Sequence, residues 1–197
     1  LHPLRFLRLW KFSDIPVVER ARVYRETVRH DGTTRREYEL FAVDLVIEIA
    51  PGLFFPAWTS NGEVPGPTIR ATAGDHQRIN FTNKGSHPHT MHFHGWHAPD
   101  MDGSLPAHQV MPGETYLYEF DAEPFGVHLY HCHASPLKRH VHKGLYGAFI
   151  IDPPGASVRP PADELVMILN AFDTNFDSEN EVYAVNTVAS YYMQEPI

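Results

Sequence analysis

Residues 128–145 read HLYHCHASPLKRHVHKGL and contain the only cysteine of the chain, Cys132, between two histidines. A second histidine-rich stretch, HPHTMHFHG, occupies residues 87–95, and residues 87–142 hold 11 of the 14 histidines. One thiol among many imidazoles is a donor set that favours a transition metal, and most specifically copper. Zinc fits less well, because zinc sites favour several cysteines or histidines at helical or knuckle spacing. The two stretches therefore predict copper binding.

The composition is that of a folded protein. Of the 197 residues, 43% are hydrophobic and 12% aromatic, which is ample for a packed core. A net charge of −8 with neutral histidines argues against a nucleic-acid partner. No apolar run approaches the roughly 18 residues that cross a bilayer, so no membrane partner is expected. The first ten residues are interrupted by arginine, and no signal peptide is visible in the chain.

Short strands separated by turn signals predict an all-β fold. Alternation of apolar and polar residues indicates strands in 37–49 and 77–82, and residues 148–151 form a further apolar strand. Glycine and proline turn signals recur between them, as at 51–52 and 61–62. Such spacing is typical of a Greek-key β-sandwich or barrel.

Four segments are expected along the chain. Residues 1–36 form a basic N-terminal arm with room for a short strand, and 37–153 form a complete β domain. A proline-rich linker covers 154–162. Residues 163–197 include the apolar run 164–170, which is suited to a buried strand, but they are too few for a second sandwich of about 100 residues. We expect them to be the beginning of a second, incomplete domain.

Side-chain alternation sorts the candidate metal ligands into two groups. If residues 89–94 and 127–133 form paired strands, Cys132 and His89 converge on one side. The other side then receives four imidazoles, those of His92, His94, His131 and His133. The sequence thus predicts two metal sites separated by the thickness of a strand, the second of them typical of copper that reacts with O₂.

His140 is the expected third ligand of the first site. It lies eight residues after Cys132 and five before Leu145. One thiolate and two imidazoles in a trigonal array describe a blue-copper centre. Leu145 would occupy the axial position without donating to the metal, which should raise the reduction potential relative to an axial methionine.

Three motifs together resemble those of the multicopper oxidases: residues 89–95, the His-Cys-His stretch with His140 and Leu145, and WTSNGEVPGPTIR at 58–70. The resemblance is to two-domain, laccase-like members related to copper nitrite reductases, with the blue copper in domain one. It covers about residues 38–153 strongly and 163–197 weakly, as the opening of a second cupredoxin domain. It implies cupredoxin-like folds and type 1, type 2 and type 3 copper ions.

The resemblance also implies roles for individual residues. The type 1 copper would be held by His89, Cys132 and His140. By position, His92 resembles the type 2 ligand. The residues that resemble type 3 ligands are His94, His131 and His133. Family members carry an acidic residue near the cluster that helps to deliver protons to reduced O₂, and Asp102 matches it, with Asp100 as the runner-up.

Assembly and location follow from the resemblance as expectations. The family's trinuclear cluster uses eight histidines, half of them from another domain. The remaining four would come from a companion domain or chain, as in a homotrimer of two-domain subunits. An extracytoplasmic location, periplasmic or secreted, is expected for the same reason.

The leading hypothesis is a laccase-like oxidase. It would oxidise phenols, aromatic amines or metal ions by one electron each at the type 1 copper, with Cys132 passing the electrons to a cluster that reduces O₂ to water. A copper nitrite reductase is the second hypothesis. Those enzymes have an aspartate at the position of His92 and no histidine at that of His133, and both departures favour the oxidase. The third is an electron-transfer cupredoxin with an incomplete cluster.

Overall fold

The computed structural model describes residues 23–155 and 164–189, and these are mostly strands. The strands are β1 (Val23–Val28), β2 (Thr34–Ala50), β3 (Leu53–Ser60), β4 (Gly66–Thr72), β5 (His76–Asn83), β6 (His92–Phe93), β7 (Thr115–Asp121), β8 (Gly126–His131), β9 (Tyr146–Asp152), β10 (Leu169–Phe172), β11 (Val182–Val185) and β12 (Val188–Ala189). Within the described ranges the only α-helix is α1 (Leu137–His142). Two 3₁₀ turns cover Pro99–Met101 and Pro106–His108.

Two sheets face each other around the main core. The first has the order β1-β2-β5-β7 with β3 also paired to β2, and the second has the order β4-β9-β8-β6. In β5 every second residue is buried, which places Ile79 and Phe81 in the core while the intervening side chains face outward. From the second sheet Tyr130 and Phe149 enter the same apolar cluster, which also contains Cys132 and Leu145. The sheets therefore carry the candidate ligands on the wall of the core.

The predicted all-β class is confirmed, and the predicted strands 37–49, 77–82 and 148–151 lie within β2, β5 and β9. The two strands that carry the ligands are shorter than the alternation argument assumed, since β6 has two residues and β8 ends at His131. Immediately before β6, two backbone N–H groups bond to side chains and not to a partner strand. The N–H of Thr90 donates to Cys132 Sγ at 3.4 Å, and that of Met91 donates to the Tyr118 hydroxyl at 2.9 Å.

The segment after the predicted linker forms a small sheet of its own, β10-β11-β12. It packs against the main sandwich through Phe172, whose ring centroid lies 5.0 Å from that of Phe55. Arg70 links the two parts, because it binds both Asp152 and Glu164.

One expectation is contradicted, and parts of three predicted segments lie outside the described residues. The prediction of a buried strand at 164–170 is wrong, since only its last two residues belong to β10 and Leu165 and Leu169 are 57% and 82% exposed. The expected boundary at 36/37 falls inside β2. Residues 1–22 of the predicted arm, most of the predicted linker and residues 190–197 lie outside the described residues. Among the residues described, no helix is both long and apolar enough to span a bilayer.

Tyr130 connects β8 to another strand of its sheet, and its contribution to the stability of the fold can be measured. Its side chain is fully buried, and its hydroxyl donates to the Pro67 carbonyl at 2.8 Å. Gly147 makes room for the ring, because a Cβ there would lie 2.4 Å from the Tyr130 hydroxyl.

We expect Tyr130→Phe to lower the free energy of unfolding by about 1–2 kcal/mol, because the buried Pro67 carbonyl loses its partner. Urea denaturation followed by circular dichroism measures the change. Tyr183→Phe is the matched control, since Tyr183 is 64% exposed and its loss should cost less than about 0.5 kcal/mol. Equal effects of the two substitutions would contradict the assignment.

Candidate metal centre

The first candidate site brings together the three predicted ligands from separate elements. His89 precedes β6 and is held by paired backbone hydrogen bonds with Val110, Cys132 follows β8, and His140 lies on α1. Cys132 Sγ lies 3.2 Å from His140 Nδ1 and 3.9 Å from His89 Nδ1, and the two Nδ1 atoms are 3.2 Å apart. All three side chains are buried, with exposed fractions of 3% or less.

This triangle has the size that a metal ion requires. Three ligand atoms about 2.1 Å from a central ion in a trigonal plane lie about 3.6 Å from one another. The observed separations of 3.2–3.9 Å bracket that value. The donor set of one sulfur and two imidazole nitrogens suits copper. The residues present therefore fit a type 1-like copper site.

Burial controls the charge of the first site. It lowers the pKa of His89 to about 4, assisted by the neighbouring His140 imidazole. It also lowers the pKa of His140 to about 4, with smaller contributions from His87 and Arg139. The pKa of the Cys132 thiol is raised by burial, against hydrogen bonds that include the backbone N–H of Thr90. In the copper-free protein all three donors are therefore neutral near pH 7, and metal binding must displace the thiol proton.

The loop after Cys132 is closed by backbone hydrogen bonds. The Cys132 N–H donates to the Leu145 carbonyl at 2.9 Å, and the Leu145 N–H donates to the His140 carbonyl at 3.3 Å. Leu145 is 1% exposed and lies in the same apolar cluster as Cys132. The predicted non-ligating residue is thus buried next to the site.

Trp58 covers the imidazoles of the first site. Its ring centroid lies 5.2 Å from that of His89, 4.8 Å from that of His140 and 4.5 Å from that of His87. The guanidinium of Arg139 also lies over the indole, 5.2 Å from the ring centroid. The indole therefore packs against the imidazoles of both histidine ligands of the first site.

The second candidate site lies on the opposite side of the strand end. His92 pairs with His131 in the register of β6 and β8, and the Nε2 atoms of His94 and His131 are 3.1 Å apart. The His133 ring stacks on that of His131 at 5.6 Å and lies 5.2 Å from that of His92. The structure thus brings the four predicted imidazoles into one group that is only partly buried, with His94 exposed.

Backbone carbonyls orient two of these imidazoles. Nδ1 of His92 lies 2.7 Å from the Asp102 carbonyl, and Nδ1 of His131 lies 2.9 Å from the Cys132 carbonyl. Each Nδ1 therefore carries the proton as a donor in the neutral ring, which leaves Nε2 available as a metal ligand. Burial, followed by the neighbouring imidazoles, lowers the pKa of His94, and burial also lowers that of His131.

Asp102 lies behind His92, at the end of the 3₁₀ turn that begins at Pro99. Its Oδ1 is 3.3 Å from His92 Nδ1 and 3.8 Å from His97 Nε2. Partial burial acts to raise the pKa of Asp102, but a hydrogen bond from Ser104 and the nearby imidazoles hold it below its ordinary value. The runner-up, Asp100, is exposed, and only its backbone carbonyl has a described partner, the hydroxyl of Tyr116.

A family model described as "Multicopper oxidase" matches residues 48–156. The chain belongs to the multicopper oxidase family. A solved structure described as a multicopper oxidase is 51% identical with a TM-score of 0.79, over 83% of this chain and 58% of that one. The copper nitrite reductase from Nitrosomonas europaea is 30% identical with a TM-score of 0.70, over 78% of this chain and 54% of that one. These likenesses confirm the predicted cupredoxin-like fold.

Among curated relatives of this multicopper oxidase chain is a probable nitrite reductase-hydroxylamine oxidoreductase fusion protein from Kuenenia stuttgartiensis. It is 34% identical over 169 residues, which is 79% of this chain and 19% of that protein. The chain therefore spans about a fifth of this relative and somewhat more than half of the solved structures above. What is shown is a multicopper oxidase cupredoxin domain with a type 1-like copper site.

Sequence reasoning missed two residues that shape the sites of this multicopper oxidase domain. Trp58 stands first in the motif 58–70, but its contact with the histidines depends on the fold. Thr90 serves both sites, because its N–H donates to Cys132 Sγ and its Oγ1 accepts from the N–H of His133 at 3.0 Å. The signal in the sequence that could have identified Thr90 is its position between His89 and Met91.

We expect the copper-free protein to lose stability as the pH falls from about 6.5 to about 4. In the unfolded chain His89 and His140 bind protons below pH 6.5, whereas in the folded protein their pKa is lowered to about 4. The stabilisation is therefore complete above pH 6.5 and is lost on acidification. Urea denaturation of the metal-free protein at pH 7.5 and pH 5 measures it.

The double variant His89→Gln/His140→Gln should show a weaker dependence on pH over the same range. His76→Gln, which changes a histidine paired with Asp121 on the other sheet, is the control that should keep the original dependence. A double variant with the same dependence as the unmodified protein would refute the attribution.

Proposed function

We propose that this protein is a laccase-like oxidase that couples one-electron oxidation of a small reducing substrate to the reduction of O₂ to water. The substrate would be a phenol, an aromatic amine or a low-valent metal ion. Four substrate molecules would each lose one electron, and O₂ would take four electrons and four protons to form two water molecules. The observation that carries the proposal is the group of four imidazoles on the far side of Cys132.

The first site would hold the type 1 copper through His89, Cys132 and His140. Its burial excludes water from the ligands, and the N–H of Thr90 would stabilise the thiolate charge by pointing at the sulfur. Leu145, which is buried in the same cluster as Cys132, offers no donor atom to a metal ion. This combination supports a high reduction potential, which suits a site that takes electrons from organic donors.

Cys132 connects the two sites through the backbone. Its side chain belongs to the first site, and its neighbours His131 and His133 belong to the second. Copper at these positions would supply one-electron transfer at the first site and O₂ reduction at the second. The chain's own contribution is a short covalent route between them, from the sulfur through the Cys132 backbone to the two imidazoles.

The second site would be half of a trinuclear cluster, with His92 as the type 2 ligand and the type 3 ligands His94, His131 and His133. The other half would come from a companion domain or from a neighbouring subunit of a homotrimer. Exposed apolar residues near the second site support a covering partner, since Trp96, which follows β6, is 73% exposed and Val127, on β8, is 81% exposed. By the same proposal the protein acts outside the cytoplasm, in the periplasm or as a secreted protein.

A copper nitrite reductase is the second candidate, favoured by the similarity to the Nitrosomonas europaea enzyme. Against it stand His92, where such enzymes carry an aspartate, and His133, where they carry no histidine. Two additional imidazoles suit a cluster of several ions better than a single type 2 ion. The oxidase is therefore the better-supported function.

We expect Cys132→Ser to abolish the blue thiolate-to-copper absorption and O₂ consumption, because both the ligand and the electron route are lost. His92→Ala should keep the blue absorption while O₂ consumption stops, because only the second site loses a ligand. Optical and EPR spectra, the copper content and O₂ uptake with a phenolic donor measure these outcomes. His76→Gln serves as the control with both properties unchanged.

The same measurements separate the alternatives. About four copper ions per complete unit support the oxidase. A single copper per chain without O₂ uptake would establish an electron-transfer cupredoxin, and nitrite turnover without O₂ uptake would establish the reductase.

Asp102 is proposed to assist proton delivery and to orient His92. We expect Asp102→Asn to lower the rate of O₂ reduction by between about tenfold and about 100-fold, as is usual for partners of metal ligands. The blue absorption should stay unchanged, because Asp102 has no contact with the first site. Single-turnover reoxidation in H₂O and D₂O measures the rate and its isotope effect. Asp100→Asn is the matched control, and a rate equally reduced by both substitutions would argue against the assignment.

A further inference from the structure

A cavity of about 500 Å³ opens beside α1, between the main sandwich and the loop that follows β10. Its walls include the rings of Phe55 and Phe176 and the basic side chains of Lys138, Arg139 and Lys143. The volume lies within the range of about 300–1,000 Å³ that is typical of small-molecule sites. A compact organic molecule therefore fits it better than an extended protein surface.

The charge of this cavity is opposite to that of the whole chain. The chain carries a net charge of −8, yet Lys138, Arg139 and Lys143 all face this one opening. The ion pairs formed by lysine and arginine in the described parts of the chain involve other residues, namely Arg29, Arg36, Arg70 and Arg78. Three cations without an ion-paired carboxylate in the described regions attract an anion.

One acidic residue, Asp173, also lines the cavity. Its carboxylate is turned to its own loop, where Oδ1 accepts from the Asp177 N–H at 3.2 Å and Oδ2 accepts from the Ser178 N–H at 2.8 Å. Asp173 is 8% exposed, so it offers little negative surface to a ligand.

Of the two aromatic rings in the cavity wall, Phe176 is the one that offers exposed apolar surface. The centroids of Phe55 and Phe176 are 6.1 Å apart with an interplanar angle of 32°, and Phe176 is 57% exposed. Lys143 Nζ lies 5.2 Å from the Phe55 centroid and 4.4 Å from the Phe176 centroid. It donates to the Pro56 carbonyl at 2.7 Å, and its ammonium has further N–H groups for a ligand.

The cavity is coupled to the first metal site through short contacts. Arg139 precedes His140 directly in sequence, and its guanidinium lies 5.2 Å from the Trp58 ring centroid. The Trp58 ring is in turn 4.8 Å from the His140 ring. A molecule bound against Arg139 is thus separated from a candidate ligand of the type 1 copper by one side-chain layer.

We propose that this cavity binds the reducing substrate, and that the substrate is an anionic aromatic compound such as a carboxylated phenol. The inference rests on the proposed function and specifies its substrate class. The carboxylate is bound by Arg139 and Lys138 through charge-assisted hydrogen bonds, and the ring packs on Phe176. Copper(II) held by His89, Cys132 and His140 would accept one electron from the bound phenol by way of His140. The phenol would release one proton to solvent and leave as a phenoxyl radical.

The test uses two probes with the same phenol ring, ferulate and its uncharged methyl ester. Each is titrated calorimetrically into the full-length, copper-loaded protein after reduction with dithionite and desalting under nitrogen. Reduced copper takes no further electron, so the titration reports binding without turnover. We expect ferulate to bind about tenfold more tightly than the methyl ester, the size expected for one hydrogen bond to a charged group.

Variants assign this preference to the cavity. Arg139→Gln should weaken ferulate binding about tenfold and leave binding of the methyl ester unchanged. Lys84→Gln is the matched control, because Lys84 also lies over a phenylalanine ring, 4.0 Å from the Phe41 centroid, but not in the cavity. Unchanged blue absorption in both variants reports that the first metal site is intact.

Equal affinity for the two probes, an Arg139→Gln protein that binds ferulate normally, or no binding of either probe would each overturn the inference. The last result would indicate a larger donor, such as an electron-transfer protein. A protein that prefers ferulate but consumes no O₂ would refute the proposed oxidase function and leave the cavity assignment standing. O₂ consumption without charge preference would refute the cavity assignment alone.

Discussion

The sulfur of Cys132 and the imidazoles of its two sequence neighbours lie on opposite sides of one strand end, and both candidate metal sites depend on this alternation. His131 closes β8 in register with His92, and the next residue turns its sulfur into the core towards His89 and His140. The residue after Cys132, His133, again belongs to the second site. Because alternate side chains of extended backbone face opposite ways, three consecutive residues serve two sites with no intervening element.

The two sites differ in burial, and the difference suits the role that each would have in the proposed oxidase. The first is covered by Trp58 and Leu145, and burial keeps its donors neutral without copper. In the proposed oxidase, such a site would exchange electrons without direct contact between the copper and the substrate. The second is only partly covered, and His94 is exposed. An open group of imidazoles can receive further ligands from a partner and admit O₂, which the proposed reaction requires.

Strand positions were predictable where a single pattern controls the outcome. The alternation in β5 reflects one face on the core and one on solvent, so it could be read directly. The backbone just before β6 could not be predicted in this way. There the N–H groups of Thr90 and Met91 bond to side chains, that of Cys132 after β8 and that of Tyr118 in β7. The prediction of a buried strand at 164–170 failed for a related reason. Apolar character permits burial, but only a covering element produces it, and Leu165 and Leu169 are exposed among the residues described.

By itself the sequence determined the kinds of donor atoms, their grouping into two sets and the all-β class, because ligand chemistry and the two-residue period of strands are local properties. Only the tertiary structure decided the 3.2–3.9 Å triangle of the first site, the cover provided by Trp58 and the position of Asp102 behind His92. It alone also revealed the basic cavity, whose walls come from β3, α1 and the loop after β10. Residues so far apart in the chain meet only through packing, and packing depends on the whole set of contacts and not on any one motif.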